Sequence, residues 1–420
     1  MSEGGTTPAA SRADGGAGRR ARAVWSALVE PGDEVAGALV AACGAAPALH
    51  WVDTSIRRGH PDWDALEAAG GELAAPVRRR VARAVERWSA RRASVDPERD
   101  LAAARRCGAR LVTPDDGDWP AGLDDLGAAS PHALWVRGAL PARGARAGAT
   151  AAADDASRVV ALVGARASTS YGERVAVDLA ADLVRRGWWV ASGGAYGIDA
   201  AAHRGALLAG GGTVAVLAGG VDRAYPVGNA RLLEEIVVSG GAVVSEVPPG
   251  AAPTRSRFLQ RNRLIAALSC ATVVVEAAWR SGAASTAHHA ARLLRPVGAV
   301  PGAVTSAASA GCHRLLRDGV AVCVTDADEV VELAGPTRHL APAVEDEGPA
   351  GEVDGLDPVA RRVHDGLSRR APRDVDVIAA RSGVSVAEAR AALGLLELDG
   401  RARRLAAGWV VVPGHESGKG

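Results

Sequence analysis

The central part of this sequence predicts an α/β fold, a doubly wound parallel sheet with helices on both faces. Three observations predict it. Short, wholly apolar runs recur over residues 158–334, helix-length amphipathic stretches separate them, and nearly every run ends in glycine or another small residue. Continuous apolar runs are what strands look like when both faces of a parallel sheet are covered. Small residues at the strand ends suit the crevice where such sheets hold ligands.

The runs, in order, are Val159–Val163, Trp189–Ser192, Thr213–Leu217, Ala242–Ser245, Ala271–Glu276, Val297–Val300 and Val320–Val324. Arg174–Arg186 and Ala200–Ala209 are clear crossover helices. The core is therefore expected to be Rossmann-like.

Residues 1–22 are rich in Gly, Ala, Thr, Ser and Arg, lack the apolar stretch of a secretory signal, and read as a disordered leader. Residues 23–138 carry helical periodicity at Glu34–Ala45, Trp63–Ala69, Pro76–Ala90 and Leu101–Cys107, predicting a small helical domain and a lead-in to the core. Residues 139–157 lack apolar periodicity and read as a linker. A second linker, acidic and Pro/Gly-rich, covers 335–355. Residues 356–413 offer helices at Pro358–Leu367, Val375–Ala380 and Val386–Leu398, then a hairpin of Ala402–Leu405 and Trp409–Val412. Three helices and a hairpin make a winged-helix pattern. A short tail, 414–420, follows.

Composition narrows the function. At 420 residues the chain has room for about three domains. No apolar stretch reaches about 18 residues without a charge or a break, which argues against a membrane span. The five cysteines, Cys43, Cys107, Cys270, Cys312 and Cys323, form no CxxC pair. That argues against a zinc module or disulfide scaffold and suits a reducing cytoplasm. Net charge is +1, so no uniform basic coat exists, although a local basic groove is compatible. Of 49 basic residues 48 are arginine, and Lys419 is the single lysine. Phosphate contacts must therefore be made by guanidinium groups, which are planar and bidentate.

The strand-end loops point to anions. Gly164-Ala165-Arg166 follows the first strand: glycine lets backbone N–H groups approach a phosphate, and Arg166 stands ready to clamp it. GxGxxG is absent, and no acidic residue stands about 20 positions on, so the dinucleotide fingerprint is missing. Ser192-Gly193-Gly194-Ala195-Tyr196-Gly197 makes a glycine-rich nest before a helix. Asp199 and His203, four apart, suit an acid/base pair, half a metal site, or a cap beside a hydrogen-bonded histidine. Arg255, Arg257, Arg261 and Arg263 fall in nine residues with no acid, directly before an apolar helix. Basic residues at a helix N-terminus oppose its dipole and call for an anion. A nucleic-acid backbone fits, with Phe258, the only phenylalanine, placed to stack on a base. Over 158–330 there are 17 arginines against 13 acidic residues, an excess equal to these four. Ser281, Gly282 and Thr286 form one more hydroxyl- and glycine-bearing loop before a helix. GxxxxGK[ST] is absent, so nucleotide hydrolysis is not expected.

Together these segments resemble the DprA (Smf) family, the bacterial DNA-processing protein A. VALVGARASTSYG, VASGGAYGIDAAAHRGAL, TVAVLAGGVDRAYPVGNARL, GAVVSEVPPG, FLQRNRLIAALS, VVVEAAWRSGAASTAHHA and AVPGAVTSAASAGCHRLLRDGVAVC carry the likeness in register over about 159–325. A weaker stretch upstream has Trp119-Pro120 where the family usually has Tyr-Pro. The resemblance implies a Rossmann-like core between a small helical (SAM-like) domain and a winged-helix-like domain. It implies binding rather than catalysis: a cytoplasmic homodimer that holds single-stranded DNA, engages RecA and loads it on incoming strands during natural transformation, where single-strand-binding protein would exclude it. No cofactor is implied. By matching positions, Gly164 and Arg166 hold phosphate, Ser192, Gly193 and Gly194 form the serine-glycine loop, Arg261-Asn262-Arg263 is the RNR motif with Phe258 at its entrance, and Ser281, Gly282 and Thr286 border the pocket. Phe258-Leu259 replaces the family's Phe-Pro, Ser192-Gly193-Gly194 its Ser-Gly-Leu, and SGAAST its SGSLIT.

Two other classes compete. A phosphoribohydrolase of the lysine-decarboxylase-like (LOG) type shares the core but needs a glutamate where this chain has His289, and neutral imidazole is no substitute for a carboxylate against a developing cation. A winged-helix regulator of duplex DNA needs positive charge on its reading helix, and Val386–Leu398 carries Arg390 against Glu388 and Glu397.

Overall fold

A computed structural model describes residues 15–141, 158–279, 281–335, 357–368 and 371–412. Its main sheet has nine strands: β1 (Ala109–Val112), β2 (Leu134–Gly138), β3 (Val159–Val163), β4 (Trp189–Ser192), β5 (Thr213–Leu217), β6 (Ala242–Ser245), β7 (Ala271–Val274), β8 (Val297–Ala299) and β9 (Val322–Cys323). They lie in the order β1-β2-β6-β5-β4-β3-β7-β8-β9. From β3 to β9 all neighbours are parallel. Each of the apolar runs read from the sequence is a strand here, the last three shortened at their ends.

Two-sided burial explains why the strands lack polar alternation. On β3, Val160 and Leu162 enter the core beneath helices Ser170–Arg185 and Ile198–Leu208. Ala161 and Val163 enter the opposite core, with Leu264 and Ile265 of helix Arg255–Leu268 and Ala287 of helix Gly282–Arg292. The chain order runs outward from β3 to β6, then returns to place β7 on the other side of β3. The crevice of this doubly wound sheet therefore opens between β3 and β7.

The N-terminal segment departs from expectation in two ways. Residues 15–22, expected in a disordered leader, belong to helix Gly15–Leu28, where Ala21, Val24 and Trp25 are buried. A run of glycines and arginines hid this helix, because tertiary packing of its apolar face outweighs its poor propensity. The lead-in also contributes strands rather than only helices: β1 pairs antiparallel with β2, and β2 antiparallel with β6. The sheet is thus mixed at one edge. Trp135 of β2 is fully buried and its indole N–H donates to Ser26 Oγ at 3.2 Å, tying the helical segment to the core. Helices Glu34–Cys43, Ala45–Arg58, Trp63–Ala68 and Ala75–Arg92 complete that segment around Trp25, Trp51 and Trp88, and Pro97–Arg106 packs through Ala104 with Leu111 and Trp135 of β1 and β2.

Residues 139–141 of the first expected linker continue from β2, with Leu140 buried. Residues 1–14, 142–157, 336–356 and 413–420 lie outside the described residues, and with them most of the leader, both linkers and the tail. The last module has helices Pro358–Gly366, Val375–Ser382 and Val386–Leu398 and a hairpin of β10 (Ala402–Leu405) with β11 (Gly408–Val411). Its core is Ile378, Val363, Leu393 and Leu396. This is a winged helix. Among the described residues no helix is long and apolar enough to cross a membrane.

Candidate nucleic-acid interface

The crevice between β3 and β7 is where a dinucleotide phosphate would rest on the following helix, and here it is filled. Glu276, buried just after β7, turns its carboxylate onto the N-terminus of helix Ser170–Arg185: Oε2 accepts the Thr169 N–H at 2.9 Å and Oε1 accepts the Thr169 hydroxyl at 2.6 Å. The Ala165 N–H, offered by the sequence as a phosphate donor beside Gly164, is spent on the Glu276 carbonyl at 2.7 Å. A carboxylate at a helix N-terminus is well placed electrostatically and leaves no vacancy for phosphate. Gly164 thus marks a close packing of backbone against Ile198 rather than an open phosphate cradle. Gly172 has the same logic, since a methyl group there collides with the Glu276 carboxylate. Gly172→Ala is expected to destabilise the fold by about 1–3 kcal/mol through overpacking, read as a lowered melting temperature.

The glycine nest after β4 is shaped from below. Ser192 is buried and its hydroxyl donates to the Leu162 carbonyl at 2.6 Å. The Asn229 amide donates to the carbonyls of Gly194 and Ala195 at 2.9 and 3.0 Å. Arg261 donates to the carbonyls of Gly193 and Val216 at 2.5 and 2.6 Å, joining the ends of β4 and β5. A side chain on Gly193 would strike both Arg261 and Asp199, so glycine is required by crowding. Burial pushes the Arg261 guanidinium down to about 10, with Asp199 opposing that and Arg166 adding to it. Burial likewise pushes the Asp199 carboxyl up, against the pull of Arg261.

Asp199 accepts the Ala195 N–H at 3.3 Å, so it serves the nest. His203 Nδ1 lies 2.8 Å from Thr213 Oγ1, whose own proton goes to the Val190 carbonyl at 2.7 Å, which makes Nδ1 the protonated nitrogen. Burial pushes His203 down to about 3, and Arg261 adds to the effect, so the ring is neutral at pH 7. Of the readings open from the sequence, the hydrogen-bonded histidine matches this geometry, whereas Asp199 lies in the first turn and bonds the preceding loop rather than capping the helix, whose N-cap is Gly197.

Helix Arg255–Leu268 settles where the four arginines go. Three of them turn inward. Arg257 forks onto Glu30 of the N-terminal segment, with Nε and Nη2 both at 3.0 Å. Arg263 donates to both oxygens of buried Glu246 at 2.7 and 2.9 Å. Arg261 forms the loop clamp above. Asn262 donates to the Gly282 carbonyl at 3.2 Å, ordering the loop whose Ser281 hydroxyl caps helix Gly282–Arg292 through the Ala283 N–H. Thr286 is buried. The helix N-terminus itself receives Asp365 of the winged helix, whose Oδ2 accepts the Ser256 N–H at 3.1 Å. The expectation that nucleic acid supplies the anion for this basic run is corrected for Arg257 and Arg263: the chain supplies glutamates. Sequence reasoning missed this because the partners come from other segments.

What remains at the surface is an aromatic and cationic strip. The Arg166 guanidinium, exposed, stacks over the Phe258 ring at 4.6 Å from its centroid, and Arg261 approaches the same ring at 5.9 Å from beneath. Tyr225 meets Phe258 at 5.6 Å with the rings tilted by 52°. Tyr225 and Tyr196 are each about half exposed, at 51%. Of the residues predicted from sequence, the structure brings together Arg166, Phe258, Arg261 and the 192–194 loop. Asn262, Ser281, Gly282 and Thr286 form a second group behind them, and Arg263 lies against the N-terminal segment. Tyr225 and Tyr196 were not singled out, although exposed tyrosines are conspicuous in a chain with only three.

Comparison with known proteins adds the following. Residues 110–335 match the family model described as DNA recombination-mediator protein A, and residues 347–408 match the DprA winged helix domain. The chain is 44% identical over 408 residues to a putative DNA processing protein DprA of Mycobacterium tuberculosis, covering 93% of this chain and 95% of that one. It is 37% identical over 258 residues to protein Smf of Escherichia coli, covering 61% and 66%. The crystal structure of DprA from Streptococcus pneumoniae superimposes with a TM-score of 0.52 at 28% identity, over 69% of this chain and 93% of that one.

Proposed function

This chain belongs to the DNA recombination-mediator protein A (DprA/Smf) family, and on that premise we propose that it binds single-stranded DNA along the Arg166–Phe258–Tyr225 strip. The observation that carries this reading is the exposed guanidinium stacked on a half-buried ring beside a second, half-exposed ring. Such rings give bases a stacking platform of about 1–3 kcal/mol each without choosing among them. Arg166 supplies the phosphate contact, and Arg261 adds positive potential from beneath. Gly164, Ser192, Gly193, Gly194, Arg261, Asn262, Arg263, Ser281, Gly282 and Thr286 shape and support the site. The action is stoichiometric binding rather than catalysis. As the family resemblance implies, a homodimer in the cytoplasm would then pass the strand to RecA in competition with single-strand-binding protein.

The two rival readings fit the geometry less well. His289 is pushed down to about 4 by burial, helped by Arg292, Arg263 and His288, so a neutral ring stands where the LOG mechanism needs a carboxylate. In the winged helix, the first turn of Val386–Leu398 holds Glu388, which accepts from Ser385 N–H and Oγ in a capping box. An acid at the end of the helix that would read the duplex repels phosphates.

The test is fluorescence anisotropy of a labelled single strand and its duplex across a salt series. The expected result is preference for the single strand and, for Arg166→Ala, a slope of log K against log salt shallower by about 0.7. Equal binding of duplex, or an unchanged slope, overturns the reading.

A further inference from the structure

We propose that the cavity where the three units meet is a binding site for a phosphate-bearing nucleotide group. The cavity has a volume of about 670 Å3, within the range of small-molecule sites. The N-terminal helices contribute Arg91 and Asp100 to its wall, the segment after β6 contributes Pro248 and Arg257, and the winged helix contributes Arg362 and Ser382. Neither Arg166 nor Phe258 lines it, so this inference does not depend on the single-strand reading.

Its charges do not balance. Five arginines, adding Arg99 and Arg381, face three carboxylates, Glu30, Asp100 and Asp365. Glu30 is committed to Arg91 and Arg257, Asp365 to the Ser256 N–H, and Asp100 Oδ1 to Arg99. Arg362 and Arg381 are left without a salt bridge to any described residue. Burial pushes both guanidiniums down; Glu30, Asp33 and Glu388 oppose this at Arg362, and Arg373 and Arg257 add to it at Arg381, which is exposed. Arginines outnumber carboxylates on this wall by two, and a guanidinium pair is suited to the oxygens of a phosphate.

Three polar atoms on lining residues are buried without a partner: Arg362 Nε, Ser382 Oγ and Asp100 Oδ2. Buried polar groups normally find partners, so these three mark places where a ligand is wanted. The first two donate to a phosphate. Asp100 Oδ2 accepts from a sugar hydroxyl or a base amine. Pro248, Pro249 and Val377 supply an apolar wall that inorganic phosphate alone would leave uncovered and a nucleobase would cover. The phosphomonoester can belong to a free nucleotide or to the end of a strand.

Isothermal titration calorimetry on the full chain tests this, with deoxyadenosine 5′-monophosphate, deoxyadenosine, and a short single strand with and without a 5′-phosphate. A free-nucleotide site gives binding of the monophosphate over deoxyadenosine and equal binding of the two strands. A strand-end site gives at least about tenfold tighter binding of the 5′-phosphorylated strand. Either preference should fall at least about tenfold in R362Q/R381Q, whose affinity for the unphosphorylated strand stays unchanged and so shows an intact fold. Arg166→Ala should retain the phosphate preference, which separates failure of this site from failure of the single-strand reading. Absence of any phosphate preference, or a preference undiminished in R362Q/R381Q, overturns the proposal.

Discussion

Glu30→Gln is expected to cost about 3 kcal/mol of stability, the cost typical of removing one partner from a buried ion network. Glu30 sits at the end of the first helical stretch and accepts from Arg91 at 2.6 Å and from Arg257 at two points. Arg91 also donates to the carbonyls of Ala380 and Arg381 at 2.9 and 3.0 Å. One carboxylate therefore joins the N-terminal helices, the core helix and, through Arg91, the winged helix. Without it, two guanidiniums stay buried with only neutral acceptors. The change should appear in denaturant unfolding followed by tryptophan fluorescence, and as faster proteolytic release of the winged helix.

The same residue gives stability a pH dependence. Although burial alone would raise it, Arg257 and Arg91 hold the Glu30 carboxyl down at about 2, against an ordinary 4.5. A carboxyl depressed in the folded state contributes fully above its unfolded value, and the contribution fades as pH falls towards its folded value. Stability should thus decline between about pH 4.5 and 2 more steeply in the wild type than in Glu30→Gln. Parallel declines would show that Glu30 is not the linking group.

The second large effect separates two arginines of one site. Arg261→Ala leaves the Gly193 and Val216 carbonyls and Asp199 buried without their cation. The expected loss is about 3 kcal/mol of stability together with most of the single-strand affinity. Because Arg261 is 6% exposed, its proposed role is to shape the 192–194 loop and support Phe258. The slope of affinity against salt should therefore stay near wild type. Arg166→Ala should do the reverse, leaving stability within about 0.5 kcal/mol and reducing the slope. If both variants change the slope equally, Arg261 touches phosphate directly and the inward placement is wrong for the bound state.

Much of this was legible in the chain. Val159–Val163 and Thr213–Leu217 read as two-sided strands because every residue is apolar, and no other periodicity competes. Phe258 and Arg166 could be picked out by rarity and by position at a strand end. Helix Gly15–Leu28 could not, since its composition argues for coil and its buried face shows only once Trp25 meets Trp88 at 5.5 Å. Strands β1 and β2 were hidden by their length of four and five residues beside a long helical segment.

By itself, the sequence determined the strands and crossover helices of the central core, their order and the sites where anions are in demand, because periodicity and turn chemistry are local properties. Which anion meets each demand was decided only by the tertiary structure. Glu276 lies 107 positions from Thr169, and Glu30 lies 227 from Arg257. Burial makes such distant pairs obligatory: a guanidinium taken out of water needs a partner wherever in the chain that partner happens to be. Folding therefore assigns Arg257 and Arg263 to carboxylates of the chain and leaves Arg166 exposed beside Phe258.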